Sequence, residues 1–180
     1  MLRSDAAICR IAKAAILILT LMCARGVAQE SFRYALGIKT GKGGLGYSLG
    51  RHTAPPQNRA ILGAEACIFC EDRFAVFADY GHWFAPASGY PGYRSADLVA
   101  AGLRFQGGRR IRPFVDFGYA AAYSRGDGLS STRTVDGIAF GIGMMIPAGE
   151  RLYVRPQLRG YGLSRTYSAS NVEISFGWRF

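Results

Sequence analysis

His82 stands three residues after Asp79, and Ser88 follows in the next loop. These residue types are the parts of an acyl hydrolase: a hydroxyl nucleophile, an imidazole to take its proton and a carboxylate to orient the imidazole. The competing reading makes His82 an interfacial ring among Tyr80, Trp83 and Phe84, since amphipathic rings favour a membrane boundary. Cys67-Ile68-Phe69-Cys70 is a C-x-x-C sequence. It falls at a tight turn between strands, with no helix N-terminus to lower a thiol pKa, so Cys67 and Cys70 read as a structural disulfide rather than a redox pair. Zinc is not expected, because His52 and His82 have no ligand spacing; no other metal or cofactor is expected either.

The elements that position these groups follow from composition. The chain has 180 residues, room for one domain. Its 24 glycines argue against long helices, because an interior glycine costs roughly 1 kcal/mol relative to alanine. Beyond the first thirty residues no apolar run approaches the ~20 residues of a membrane helix, so a membrane crossing would use strands. Residues 1–28 read as a signal peptide: Arg3, Arg10 and Lys13 precede the apolar Ala14 to Ala24, and Gly26-Val27-Ala28 offers small residues for cleavage. Cys23 does not read as a lipidation site, because Leu21-Met22 lacks the small residue that processing wants. Residues 29–180 then form the mature domain, with 18 basic less 11 acidic residues, a net charge of +7. A sequence pI near 9.8 raises nucleic-acid binding, but the positive charge is scattered over alternating strands and no nucleic-acid motif is present.

Period-2 alternation recurs along the mature domain. Val172, Ile174, Phe176, Trp178 and Phe180 alternate with polar or small residues, and the same pattern marks Arg59 to Cys67, Arg73 to Trp83, Ala96 to Gln106, Arg110 to Ser124, Thr134 to Ile146 and Leu152 to Gly162. Short connections are expected at Ile68 to Asp72, Gly107 to Arg109 and Pro147 to Glu150. Longer ones are expected near Arg51 to Asn58, Phe84 to Ser95, Arg125 to Arg133 and Leu163 to Ser170. Short turns at one end and long loops at the other mark a transmembrane β-barrel. The first strand is ambiguous, because Tyr34, Leu36 and Ile38 differ in parity from Leu45, Tyr47 and Leu49. Either a bulge at Gly41 to Gly44 joins the two segments or one of them is a lead-in. The expected fold is an all-β, eight-stranded, antiparallel up-and-down barrel.

With its closing strand Val172 to Phe180, the mature chain resembles the small eight-stranded outer-membrane barrels of Gram-negative bacteria, the group that includes the OmpA transmembrane domain, OmpX and opacity-type proteins. The resemblance implies a location in the outer membrane among lipid and lipopolysaccharide and a structural or surface-interaction role; a monomer is expected. It also implies insertion by the barrel-assembly machinery, with Phe176, Trp178 and Phe180 as recognition residues. No peptidoglycan-binding domain follows the barrel, so cell-wall tethering is not expected. Some barrels of this size remodel lipid A, but that pattern sets His and Ser two residues apart, whereas Trp83-Phe84 follow His82 and Thr53-Ala54 follow His52. An enzyme is therefore not expected.

If the apolar faces point to lipid, the opposite faces turn Glu65, Arg73, Asp79, Arg104, Arg112, Asp116, Arg155, Arg159 and Glu173 inward. An eight-stranded barrel is just wide enough for side chains to fill, so these charges are expected to pair and plug it. The alternative is a narrow, anion-leaning channel. Aromatic belts are expected from Tyr80, Trp83, Tyr119, Tyr123 and Tyr161 at the loop end, and from Phe74, Phe105, Tyr153 and Trp178 at the turn end. Arg51, Arg94, Arg125, Arg133 and Arg165 in the outer loops are candidates for lipopolysaccharide phosphates. A soluble lipocalin-like carrier would require the reverse arrangement, with apolar side chains inside.

Overall fold

The computed structural model describes residues 33–49, 52–70, 72–84, 95–108, 110–125, 133–163 and 167–180. They form eight strands: β1 (Tyr34–Leu49), β2 (His52–Ile68), β3 (Phe74–Trp83), β4 (Ser95–Gln106), β5 (Arg112–Arg125), β6 (Arg133–Pro147), β7 (Leu152–Leu163) and β8 (Tyr167–Arg179). Each pairs antiparallel with its chain neighbour, and β8 closes on β1, so no strand edge is left open. The closing seam ends with two backbone bonds, Tyr34 N to Phe180 O at 3.0 Å and Phe180 N to Tyr34 O at 2.9 Å. This is the antiparallel eight-stranded barrel that the alternation predicts.

β1 is continuous, and its register with β8 runs unbroken from Ala35↔Arg179 to Tyr47↔Tyr167. The irregularity lies against β2, between Leu45 and Tyr47 rather than at Gly41 to Gly44. There Leu45 pairs with Gln57 and Tyr47 with Ala54, so β2 carries one extra residue at Pro55-Pro56. Proline has no N–H for the ladder, and an edge or a bulge is where a strand tolerates it. The long connection expected at Arg51 to Asn58 is thus mostly strand, since β2 begins at His52. The one expected at Leu163 to Ser170 shrinks likewise, because β8 begins at Tyr167.

The outward face is apolar: Ile38 is 67% exposed, Phe74 63% and Val172 61%. The inward face divides into three layers. Toward the loops, Ile61, Trp83, Leu98, Tyr161 and Leu163 pack with small alanines, and the cluster reaches down through Phe77, which lies level with Cys67 and under the guanidiniums of the middle layer. Toward the turns, Ala35, Cys67, Cys70, Ala75, Met145 and Tyr153 form a second cluster. Most of the buried charged side chains lie in the middle, with Arg59 buried nearer the loops and Arg179 at the turn end.

Candidate functional site: a paired-charge interior

Four cations and four carboxylates meet in the middle layer, contributed by every strand except β6. Lys39 on β1 sends Nζ to Asp79 Oδ1 on β3 at 2.6 Å and to Glu173 Oε1 on β8 at 2.9 Å. Arg104 on β4 grips Asp116 on β5 with both Nε and Nη2 at 2.7 Å, the bidentate fork for which a guanidinium is suited. Arg159 on β7 joins the two groups, reaching Asp116 Oδ2 at 2.7 Å and Asp79 Oδ2 at 3.0 Å. Arg155 on β7 pairs with Glu65 on β2, and the Tyr153 hydroxyl donates to the same Glu65 oxygen at 3.1 Å. Neutral amides complete the shell of Glu173: Gln157 Nε2 donates to it at 2.8 Å and Asn171 Nδ2 at 2.7 Å.

Rings hold the guanidinium planes. The Arg104 carbon lies 3.9 Å from the Phe114 centroid, and that of Arg159 lies 4.9 Å from the Phe77 centroid, in cation–π range. Glycines make the room. A Cβ on Gly143 would stand 2.6 Å from the Phe114 ring. The Tyr153 ring occupies the space that side chains at Gly37 and Gly177 would need. β6 contributes no charge to the middle layer, and at Gly141 a Cβ would press on Arg159 Nε and Asp116 Cβ at 3.3 Å.

Of the residues expected inside, Glu65, Asp79, Arg104, Asp116, Arg155, Arg159 and Glu173 meet here. Arg73 does not: it is exposed at the turn end, ahead of the first residue of β3. Arg112 lies half-buried at the same end, where Nη1 donates to the Cys70 carbonyl at 3.3 Å. Lys39, which sequence reasoning missed, takes the central place. It sits on a strand whose inward positions include Gly37, Gly41 and Gly43, and the parity of Leu36 and Ile38 was the one signal that could have turned it inward.

Two expected aromatic belts are thinner than predicted. Trp83, Tyr153 and Tyr161 point inward, each at most 3% exposed, whereas Tyr80, Tyr119, Phe74, Phe105 and Trp178 lie outside. Phe176 and Phe180 are outward as well. His82 does not meet Asp79, which faces the interior; its Nδ1 lies 2.7 Å from Asp97 Oδ1 on the outer face. The same Asp97 oxygen accepts from the Tyr80 hydroxyl at 2.9 Å, and the His82 ring packs edge-on against Phe84 at 4.7 Å. Ser88 lies outside the described residues, as do Arg51, Arg94 and Arg165. Arg125 ends β5 and Arg133 begins β6, and their side chains are likewise outside the description. Cys67 and Cys70 are bonded across the β2–β3 turn, with Cα atoms 5.6 Å apart. Phe69 between them takes a left-handed φ of 58°. Among the described residues no group of three or more His, Cys, Asp or Glu is placed to hold a metal.

No protein-family model and no curated protein matches the chain. Solved structures do. Neisserial surface protein A aligns with a TM-score of 0.69 at 10% identity, over 82% of this chain and 97% of that one. Ail, the attachment invasion locus protein of Yersinia pestis, in complex with the heparin analogue sucrose octasulfate, gives 0.55 at 14% identity, over 82% and 99%. The outer membrane protein OprG from Pseudomonas aeruginosa gives 0.52 at 11%, over 85% and 99%. At such identities the likeness is one of backbone architecture, and the architecture this chain shares with them is the small, closed, eight-stranded β-barrel.

Proposed function

We propose that this chain is an integral outer-membrane barrel of a Gram-negative bacterium, monomeric and non-enzymatic, with a structural or surface-interaction role and an interior plugged by paired charge. The observation that carries the reading is the inverted distribution of polarity. Phe117, Ile138 and Phe176 are at least half exposed, while Lys39, Arg104 and Arg155 are at most 2% exposed. A soluble barrel does the opposite, and a lipid-facing apolar band around a polar interior is what a bilayer requires. The ion pairs, each side chain at most 2% exposed, and the apolar clusters that adjoin them support a plug. The names of two proteins of similar fold, a surface protein and an attachment protein, accord with a surface role.

Export follows from residues 1–28, with 29–180 as the inserted domain. Phe176, Trp178 and Phe180 serve as recognition residues for the assembly machinery, and the loop arginines Arg51, Arg94, Arg125, Arg133 and Arg165 bind lipopolysaccharide phosphates. Expression in a Gram-negative host tests the core of this reading. The protein is expected in the outer-membrane fraction, with a gel mobility that changes on boiling and little conductance in planar bilayers. A soluble periplasmic product without a heat shift refutes the membrane reading. Large conductance that changes in Arg104→Ala or Arg155→Ala refutes the plug.

A further inference from the structure

The four strands that leave the turn end all begin alike. Arg33 precedes Tyr34 of β1, Arg73 precedes Phe74 of β3, Arg110 precedes Ile111 just ahead of β5, and Arg151 precedes Leu152 of β7. Each arginine is exposed, and among the described residues none of the four has an ion pair. Phe74, Ile111 and Leu152 are 63%, 54% and 47% exposed on the outer face. The arginines do not hang from loose loops. The carbonyl of Arg33 accepts from Cys70 N at 3.3 Å, that of Arg73 from Gln106 N at 3.0 Å and that of Arg151 from Arg179 N at 2.7 Å. One cation therefore sits at each junction of the turn-end rim, three of the four held by a backbone hydrogen bond, and each is followed by an aromatic or aliphatic residue. The other described charges at this rim are Arg112, Arg179, Asp72 and Glu150, so the rim is basic.

We infer that this rim is an arginine collar that binds the phosphates of anionic phospholipids in the leaflet at the turn end. The inference rests on the membrane-spanning reading above. A guanidinium forks onto phosphate oxygens, and its stem can lie along apolar surface while its head stays at the interface. The apolar neighbour then meets the first carbons of the acyl chain. One seat is a groove of about 440 Å³ lined by Arg73, Phe74, Phe105, Pro113 and Val115. Each arginine near an anionic surface contributes about a fivefold preference for the charged lipid.

Trp178 reports on this rim. It lies on β8 between β1, which Arg33 precedes, and β7, where Leu152 is its partner. It is 47% exposed, while Trp83, the other of the chain's two tryptophans, is buried inside. The full chain, expressed in a Gram-negative host and purified from its membranes, would be placed in phosphatidylcholine vesicles containing either phosphatidylglycerol or phosphatidylcholine with brominated acyl chains. Phosphatidylglycerol is expected to quench Trp178 at a lower mole fraction, by about fivefold or more, with the preference collapsing in 1 M salt, where the Debye length is only ~3 Å. Arg33→Gln with Arg151→Gln should remove the preference, and Arg33→Lys with Arg151→Lys should keep most of it. Equal quenching of the wild type by both lipids overturns the inference, as does a preference that survives in the glutamine variant. Quenching by neither lipid overturns the membrane reading itself.

Discussion

Replacing Lys39 by methionine tests whether the middle layer is held by its ion pairs. The ammonium lies 2.6 Å from Asp79 and 2.9 Å from Glu173, and at an effective dielectric of ~20 each attraction is worth about 6 kcal/mol gross. Desolvation of the three ions offsets most of that. The loss in the variant comes from what remains. Asp79 keeps Arg159 at 3.0 Å, but the described partners left to Glu173 are the neutral Gln157 and Asn171. A buried carboxylate robbed of its cation costs about 3–5 kcal/mol. Urea titration of the folded protein in vesicles, followed by the heat-shifted band, should show a loss of that size for Lys39→Met. Adding Glu173→Gln removes the orphaned charge and should recover about 2 kcal/mol, a coupling that independent sites would not show. A Lys39→Met variant within about 1 kcal/mol of wild type would refute the argument, because no buried ion can lose its partner so cheaply.

Three further outcomes follow from the same geometry. Phe117→Arg, in the middle of β5 and 57% exposed on the outer face, should lose about 2–4 kcal/mol of stability in vesicles; an unchanged urea midpoint would mean that this face does not meet lipid. Gly177→Ala drives a methyl group into the Tyr153 ring and the Leu36 carbonyl and should cost about 1–3 kcal/mol. Tyr153→Leu in the same chain should return part of that loss, and no return would point to the backbone contact alone. Opening the Cys67–Cys70 bond with Cys67→Ser and Cys70→Ser frees a four-residue loop in the unfolded chain, worth about 2 kcal/mol by loop entropy. Urea midpoints that match with and without the bond would contradict it.

Strand existence was legible because an apolar outer face and a packed, charged inner face impose a strict period of two. Seven of the nine residues expected inside meet there for that reason. Arg73 shares the parity of Ala75, Phe77 and Asp79 but lies ahead of Phe74, in the turn, where alternation no longer dictates direction. The place of Trp83, Tyr153 and Tyr161 near strand ends points to belts, yet each has the parity of its strand's buried face, and the pleat decides. Pro55-Pro56 reads as a loop because proline ordinarily ends a strand, and only the partner strand β1 shows that a bulge carries β2 through it. Lys39 was hidden by the glycines around it, which leave one face of β1 without a hydrophobic signal. The Asp97 partner of His82 is fifteen residues away in sequence and adjacent only through the β3–β4 register.

The contact between Lys39 and Glu173 joins residues 134 positions apart, across the seam where the first and last strands meet. Until that seam forms, the inward face of the sheet carries charges whose partners are still elsewhere, and a half-inserted barrel would hold them against hydrocarbon. The full pairing of these charges is therefore a property of the closed ring: Arg104 meets Asp116 within the β4–β5 hairpin, but Lys39 reaches Glu173 only across the seam. The last pairing should proceed as a single cooperative event, and partially zipped forms in the bilayer should be too costly to accumulate.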